Sequence, residues 1–165
     1  MKAIVAVDKK WGIGKDNGLL FSIPEDMKFF RQTTKDKVVV MGANTLRSFP
    51  NGNPLKNRIN IVLSSKLKRD DCIIVDSLEK LLDEIKKYPA EDVYLIGGAM
   101  LYKTLLPYCT EALVTKVDAD GEAQVFFENL DLIDGWVCEN QSESIESNGY
   151  NIKFTTYKNN FVKNI

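Results

Sequence analysis

The 165-residue chain contains no histidine. Nucleophilic catalysis by a Ser-His-Asp triad or a Cys-His pair is therefore excluded, and so are zinc enzymes that depend on histidine ligands. Any acid–base step must use an Asp, Glu, Lys or Tyr side chain, or a water molecule. We expect no metal site.

The chain is also poor in cysteine, and it has no excess of positive charge. Its three cysteines, Cys72, Cys109 and Cys138, are widely spaced and odd in number, which favours reduced thiols over disulfides. The net charge of −1 offers no basic face, so no nucleic-acid partner is expected. No apolar run approaches a membrane span, and the first residues lack a signal-peptide core. These absences predict a cytoplasmic protein without a membrane partner, and we expect it to be a monomer.

Short runs of β-branched and apolar residues predict eight strands, with helical patterns between most of them. The predicted strands cover residues 2–8, 37–42, 58–65, 72–76, 92–100, 110–118, 136–140 and 150–158. One helix is predicted to begin at Pro24, and three more to cover 43–49, 78–88 and 99–106. This alternation predicts one α/β domain over 1–158, with a short C-terminal tail at 159–165. We expect a central, mostly parallel eight-stranded sheet, an antiparallel C-terminal edge and about four flanking helices.

The stretch from Trp11 to Phe30 combines a glycine-rich loop with a helix that carries Asp26. An acid in the first turn of a helix can simply favour the helix dipole. Asp26, however, shares a face with Met27 and Phe30, and Glu25 can serve the dipole from the exposed side. A buried carboxylate needs a partner, and a flat amidine-like group with two donors suits it. We interpret Asp26 as a ligand-binding acid.

Three other features have both a structural and a functional reading. Gly97-Gly98 and Gly42 each join a strand end to a helix start, which is either a tight turn or a pyrophosphate site, although GxGxxG is absent. Arg58 is either a solvated arginine or a bidentate grip on a substrate carboxylate. Ser64 and Ser65, with Lys66, Lys68 and Arg69 beyond them, form either a polar loop or an adenosine-phosphate contact.

Together these residues resemble the dihydrofolate reductase family along nearly the whole chain. The order and spacing of many short pieces carry the resemblance. They are Ile13-Gly14-Lys15-Asp16-Asn17, Ile23-Pro24-Glu25-Asp26, Phe30, Thr34, Met41-Gly42, Thr45, Ser48, Arg58, Asn60-Ile61, Leu63-Ser64-Ser65, Ile96-Gly97-Gly98, Tyr102, Leu106-Pro107 and Thr115.

The resemblance implies reduction of 7,8-dihydrofolate to tetrahydrofolate by hydride transfer from NADPH, in one-carbon metabolism. It also implies that antifolate inhibitors bind. Asp26 matches the acid that holds the pterin and assists N5 protonation through water, Thr115 matches its supporting threonine, and Phe21 lies where a water-holding Trp is usual. Around the substrate it places Ile4, Val5, Asp26, Met27, Phe30, Phe49, Leu55, Arg58, Ile96 and Thr115.

The resemblance likewise assigns the NADPH contacts. Ile13 to Leu19 match a mobile lid over the nicotinamide, and Ala6 lies beside that ring. The full set is Ala6, Ile13, Gly14, Asn17, Gly18, Leu19, Gly42, Ala43, Asn44, Thr45, Leu63, Ser64, Ser65, Ile96, Gly97, Gly98, Ala99, Met100, Leu101 and Tyr102.

The chain departs from the family pattern at four places. Leu20-Phe21 replaces Pro-Trp, so the usual indole N–H near the proton route is missing. Ala43 and Met100 replace basic residues that meet the 2′-phosphate of NADPH, which predicts a weaker preference for NADPH over NADH. Ser64, Ser65, Lys66 and Arg69 are the nearby candidates to take over. Gln124 replaces an acid that helps to hold the lid.

Two alternatives stay open. One is a related nicotinamide-dependent reductase of another pterin or of a ribitylated pyrimidine, against which Asp26 and Arg58 argue. The other is a nucleotide-binding module without catalytic activity.

Overall fold

The computed structural model describes residues 1–16 and 18–165. The helices within these ranges are α1 (Pro24–Thr34), α2 (Ala43–Ser48), α3 (Leu78–Ile85) and α4 (Ala99–Leu105). The strands are β1 (Lys2–Val7), β2 (Gly12–Gly14), β3 (Val38–Gly42), β4 (Ile59–Leu63), β5 (Ile73–Val75), β6 (Val93–Gly97), β7 (Glu111–Val117), β8 (Val125–Phe126), β9 (Trp136–Gln141), β10 (Ile145–Ser147) and β11 (Tyr150–Asn159).

The main sheet places eight strands in the order β10-β11-β7-β1-β6-β3-β4-β5. Every pair from β7 to β5 is parallel, whereas β11 runs antiparallel to β7. On its other side, β11 pairs antiparallel with β10 and, further along, with β9. This arrangement confirms the predicted α/β architecture with an antiparallel C-terminal edge. It also gathers the carboxyl ends of β1, β6, β3, β4 and β5 along one edge of the sheet.

The helices begin where local chemistry favours them. Pro24 occupies the first turn of α1, where its missing N–H costs nothing. Ser77 caps α3 by accepting a hydrogen bond from the backbone N of Lys80 at 3.2 Å. The longest helix, α1, has 11 residues, and in the described part of the chain no helix is both long and apolar enough to cross a membrane.

The core lies on both faces of the parallel strands, because successive side chains of a strand point to opposite faces. Val38 and Val40 of β3 belong to the larger apolar cluster, under α3 and α4. Val39 and Met41 of the same strand belong to a second cluster, against which Phe49, Leu55 and Ile96 also pack. The second face of the sheet is therefore the one that carries several of the predicted substrate contacts.

Several boundaries differ from the predictions. Helix α3 ends at Ile85 rather than residue 88, because Lys87 N and Tyr88 N bond three residues back and tighten the chain before Pro89. The strand predicted over 92–100 ends at Gly97, and α4 begins at Ala99. Strands β2, β8 and β10 were not predicted, because two or three residues carry no readable periodicity.

The predicted C-terminal tail is attached to the body of the protein by backbone hydrogen bonds. Asn160 N donates to Gly135 O at 2.8 Å, and Lys163 N donates to Pro107 O at 2.8 Å. Gly135 permits this contact, since a side chain there would collide with the Phe161 ring and its φ is +92°.

Candidate active site

The carboxyl ends of the parallel strands lie together along one edge of the sheet, where an open α/β sheet usually binds its ligand in a crevice. Ala6 of β1 and Thr115 of β7 are neighbours in register at its first end. Helix α1 crosses this end and brings Asp26 towards Thr115. Gly42 of β3 and Gly97 of β6 lie near its middle, and Leu63 and Val75 end β4 and β5 at its far side.

Asp26 is a half-buried carboxyl group whose pKa is shifted. Loss of hydration raises the pKa of Asp26 above its ordinary value, and hydrogen bonding from Thr115 partly offsets that rise. No cation contributes to the shift. Thr115 itself is 2% exposed, so the two side chains form a polar pair surrounded by apolar residues. A carboxylate in this position gains most from a ligand that supplies hydrogen-bond donors.

Arg58 is oriented by contacts with α1 and with its own loop. Its Nε donates to Thr34 Oγ1 at 3.1 Å and its Nη1 to Lys56 O at 2.8 Å, with a longer contact of 3.5 Å from Nη2 to Arg31 O. Thr34 in turn donates to Phe30 O at 2.8 Å. A guanidinium has five N–H groups, so one on each terminal nitrogen remains for an incoming carboxylate.

Asn60 is a supporting residue to which the sequence assigns no role. It is 6% exposed, and its amide both accepts from Leu55 N at 3.0 Å and donates to Leu55 O at 2.9 Å. It also donates to Arg58 O at 3.2 Å. One side chain thereby fixes the loop that carries both Leu55 and Arg58. A buried amide next to a strand start is the only signal that could have suggested this role.

The two glycine corners meet in the middle of the crevice. A Cβ on Gly42 would lie 3.9 Å from Gly98 N, and one on Gly97 would lie 3.0 Å from Thr45 Oγ1. Gly97 also has a φ of +136°, which favours glycine over every other residue. Tyr102 packs behind the corner, where its hydroxyl donates to Ile4 O at 2.7 Å. The backbone here is open to the close approach of a pyrophosphate, so the residues present fit a dinucleotide.

The predicted lid is fastened at its base to the segment 122–127. Gly12 and Gly14 of β2 pair with Phe126 and Val125 of β8. Beyond this pair, Gln124 Oε1 accepts from Asp16 N at 3.0 Å, and Gln124 Nε2 donates to Asp16 Oδ1 at 3.4 Å. A neutral amide therefore makes the contact that the sequence comparison assigns to an acid. Asn17, a predicted cofactor contact within the lid, lies outside the described residues.

Asp8 holds the other side of the lid base, a role that no pattern in the sequence predicts. The side chain is 2% exposed and accepts three backbone hydrogen bonds, from Lys10 N at 2.8 Å, Gly12 N at 2.7 Å and Gly121 N at 3.0 Å. Charge-assisted bonds of this kind satisfy a buried carboxylate. Asp8 thereby ties the start of the lid to the loop at 119–124.

Phe21 packs as an apolar side chain. Its ring lies 4.8 Å from that of Tyr150 and joins a small cluster with Ile23, Val117 and Ile152. A Cβ on Gly121 would lie only 3.0 Å from Phe21 Cζ, so the loop 119–124 closes directly over the ring. The position carries no hydrogen-bond donor for water.

The remaining predicted contacts differ in how much of each side chain solvent reaches. Ile4, Leu101 and Tyr102 are buried, whereas Leu19 and Met100 are 83% and 84% exposed. Gly18, Met27, Asn44 and Ser65 are also exposed, and Gly97 is buried. The others are half-buried: Val5, Ala6, Ile13, Gly14, Phe30, Phe49, Leu55, Leu63, Ser64, Ile96, Gly98, Ala99, Gly42, Ala43 and Thr45.

Arg69 and Ser64, two of the candidates at the far side, already make hydrogen bonds within the chain. Arg69 donates to both oxygens of Asp71, at 2.9 and 2.6 Å, and to Gly52 O at 2.7 Å. Ser64 Oγ accepts from Lys66 N at 3.2 Å and from Leu67 N at 3.1 Å, which closes a tight turn. Arg69 is therefore a poorer candidate for a phosphate than its position in the sequence indicates.

Comparison with known proteins agrees with this geometry. The family model described as dihydrofolate reductase matches residues 1–159. The chain belongs to the dihydrofolate reductase family. It is 36% identical over 159 residues to the dihydrofolate reductase of Bacillus subtilis, covering 94% of this chain and 92% of that protein. It is 34% identical over 154 residues to the enzyme of Haemophilus influenzae, covering 92% and 93%.

A solved structure extends the family match to three dimensions. The dihydrofolate reductase of Enterococcus faecalis, in a complex with NADP(H) and RAB-propyl, superposes with a TM-score of 0.85 and 30% identity. The superposition covers 96% of this chain and 95% of that one. The predicted fold is thereby confirmed as the dihydrofolate reductase fold.

Proposed function

We propose that the chain reduces 7,8-dihydrofolate to 5,6,7,8-tetrahydrofolate with NADPH. The observation that carries this conclusion is the pairing of Asp26 with Thr115 at the end of the crevice, with Arg58 held beyond the other end of α1. A folate has an amidine-like pterin ring, which a carboxylate can bind, and a glutamate carboxylate, which a guanidinium can bind. Family membership and the structural match support the same activity.

We propose that Asp26 holds the N3 and 2-amino groups of the pterin and favours protonation of N5 through water. Its raised pKa reflects a pocket that excludes bulk solvent, in which a single charge acts strongly. Thr115 steadies the carboxyl group by hydrogen bonding. Phe21 contributes shape rather than a proton, so the water is held by other groups.

The substrate side is completed by apolar residues and by Arg58. Ile4, Val5, Met27, Phe30, Phe49, Leu55 and Ile96 would enclose the pterin and benzoyl rings. Arg58 would bind the glutamate carboxylate with its two free N–H groups. Because a hydrogen bond from Arg58 to Thr34 and one from Asn60 to Arg58 O fix this arginine and its loop, little ordering entropy remains to be lost on binding.

The cofactor side follows the rest of the crevice. NADPH, when bound, supplies the hydride, which is the cofactor's own chemistry. Ala6 and the lid from Ile13 to Leu19 would shield the nicotinamide, and the backbone at Gly42, Gly97 and Gly98 would accept the pyrophosphate. Leu63, Ser64 and Ser65 lie towards the adenosine, and Ala43, Asn44, Thr45, Ile96, Ala99, Met100, Leu101 and Tyr102 complete the set.

An absorbance assay tests the activity. Purified protein is mixed with NADPH and dihydrofolate, and the loss of reduced-nicotinamide absorbance is followed together with tetrahydrofolate formation. Dihydrobiopterin and a ribitylated pyrimidine serve as matched substrates without a glutamate tail. Turnover of dihydrofolate alone is the expected result. Faster turnover of a tail-free substrate, or no turnover of any of them, would overturn the proposal.

We further propose that the enzyme acts as a cytoplasmic monomer without nucleic-acid or membrane partners, and that antifolates bind at the Asp26 end. Sedimentation at micromolar concentration tests the monomer. Competition between an antifolate and dihydrofolate tests the shared site, and loss of that competition in Asp26→Asn is the expected outcome.

A further inference from the structure

The carboxyl end of β5 carries an acidic side chain at the far side of the crevice. In the parallel register of β3, β4 and β5, Gly42 pairs with Leu63 and Leu63 pairs with Val75. The next residue after each of the two outer strands, β4 and β5, is Ser64 and Asp76, and Ser64 N donates to Val75 O at 2.9 Å. Because Asp76 directly follows Val75, it lies at the same edge as Ser64, and its side chain is exposed there.

The order of the strands gives the direction in which a dinucleotide would lie. The ring-binding end is set by Asp26, Thr115 and Ala6, beside β1 and β7. The glycine corner that suits a pyrophosphate lies on β6 and β3, one to two strands further along. The adenosine half must then extend over β4 and β5, since neighbouring strands are about 4.8 Å apart. Asp76 stands at that end, where the ribose 2′ position would come to lie.

Lys80 and two nearby arginines already have partners within the chain. Asp76 Oδ1 lies 2.9 Å from Lys80 Nζ, and this ion pair lowers the pKa of Asp76, so the carboxylate is ionised at neutral pH. Arg69 is held by Asp71 and Gly52 O, and Arg47 donates to Asn44 Oδ1 at 2.7 Å. The first residue of α2 is the uncharged Ala43.

We propose that Asp76 is a specificity-determining residue that weakens binding of the 2′-phosphate of NADPH and favours a free ribose 2′-hydroxyl. The inference rests on the proposed function, because it requires a nicotinamide dinucleotide in the crevice. A carboxylate repels a phosphate and accepts a hydrogen bond from a hydroxyl, which is how acidic residues distinguish the two dinucleotides elsewhere. Lys80 offsets part of the repulsion between Asp76 and the phosphate. The ion pair between Lys80 and Asp76 is weak, because both side chains are exposed.

This inference differs from the mere absence of a basic residue. If Ala43 and Met100 alone lowered the affinity for the phosphate, removal of the Asp76 charge would change nothing. A repulsive carboxylate instead predicts a gain in affinity when its charge is removed. For charges roughly 7 Å apart at low ionic strength, that gain is about 3- to 5-fold in the dissociation constant, and it shrinks as salt is added.

Calorimetric binding of NADP⁺ and NAD⁺ to the full chain, without substrate, tests the inference independently of turnover. Asp76→Asn is compared with the natural protein and with Asp83→Asn, which removes the same charge from an exposed position further along α3. Asp76→Asn is expected to tighten NADP⁺ binding about 3- to 5-fold at low salt. Binding of NAD⁺ should stay unchanged or weaken. Asp83→Asn should leave both constants within about two-fold, because it lies further from the crevice edge.

Two results would overturn the inference while leaving the proposed function intact. One is an unchanged ratio of the NADP⁺ and NAD⁺ constants in Asp76→Asn, and the other is an equal gain in Asp83→Asn. Lys80→Met provides a second variant: it should weaken NADP⁺ binding, since the repulsion from Asp76 is then unscreened. Failure of the natural protein to bind either dinucleotide would instead contradict the proposed function itself.

Discussion

The two ends of the crevice are built in different ways. At the α1 end, Asp26 and the buried Thr115 form a polar pair whose charge is costly without a ligand, and Arg58 is held by defined hydrogen bonds. At the β5 end, Ser64 closes a turn, Arg69 is bound to Asp71, and Asp76 and Lys80 are exposed. The first end keeps the features that the reaction requires. The second end is made of surface loops, where charge can change with little effect on folding.

This difference explains two of the four departures from the family pattern, those at Ala43 and Met100. Replacement of a buried, hydrogen-bonded residue leaves partners unsatisfied, which costs about 1–3 kcal/mol or more. Replacement of an exposed side chain such as Met100 or Asp76 costs little, because surface substitutions usually fall within about 0.5 kcal/mol. The preference between NADPH and NADH can therefore change while Asp26 and Thr115 of the pterin site are retained. Substitutions at Asp26, Arg58 and Ala43 are expected to change rate or affinity, with the largest effect at Asp26 and the smallest at Ala43. A fourth expected outcome concerns the pH dependence of stability.

Asp26→Asn is expected to have the largest effect on turnover. The amide keeps the shape of the side chain but cannot hold the negative charge that favours protonation of the pterin. We expect kcat at neutral pH to fall roughly 10²-fold or more, the scale of lost acid–base assistance. Glu25→Gln, at the exposed neighbouring position, is the matched control and should leave kcat near normal. Near-normal turnover of Asp26→Asn would return this residue to a helix-dipole role.

Arg58→Leu is expected to act on binding rather than on chemistry. Loss of a charged, two-point hydrogen bond should raise KM for dihydrofolate about 10- to 100-fold, with kcat nearly unchanged. Lys56→Leu removes a positive charge from the same loop and should leave KM within about two-fold. A similar KM in Arg58→Leu and in the natural enzyme would mean that Arg58 only stabilises the loop. A tail-free folate analogue is the control ligand, and it should bind both proteins equally if Arg58 binds the tail.

Ala43→Arg, at the start of α2 beside the glycine corner, should have the smallest effect of the three. A guanidinium at the start of α2 can pair with a phosphate and should raise kcat/KM for NADPH about tenfold relative to NADH. Ser48→Arg adds the same charge at the far end of α2 and should change the ratio much less. No gain for NADPH in Ala43→Arg would place the 2′-phosphate elsewhere and would also weaken the case for Asp76.

The sequence predicted best what depends on buried runs of apolar residues. Strands β1, β3, β4 and β6 were found because a continuous run such as 37–42 has little alternative to a buried strand. Strands β2 and β8 could not be found, since Gly12 and Phe126 pair only because the fold brings two distant loops together. The sheet order was likewise out of reach, but the alternation of strands and helices was enough to predict its mostly parallel character.

The same limit applies to the site. Asp26 was predicted from its position on the helix, and Arg58 from the resemblance to the family. The role of Asp8 depends on a hydrogen bond from Gly121, 113 residues away, and that of Asn60 on a loop closed by its own amide. The engagement of Arg69 by Asp71 and Gly52 also depends on side-chain direction. Spacing along the chain does not encode such contacts.

The stability of Asp26→Asn as a function of pH tests the central claim most directly. Because the folded protein raises the pKa of Asp26, it binds that proton more tightly than the unfolded chain does. Stability from this group is complete below the ordinary carboxyl pKa of about 4, and it falls as pH rises through the raised value. Asparagine does not titrate, so the variant should equal the natural protein at about pH 4 and exceed it increasingly towards neutrality.

Urea unfolding of both proteins without ligands, at several pH values, measures this difference, with Glu25→Gln as the control. The account predicts a variant that is more stable at neutral pH and at least roughly 10²-fold less active, because the charge of Asp26 serves the reaction at the expense of the fold. A variant that is less stable at every pH, with a gap that does not change with pH, would contradict it and make Asp26 a structural residue.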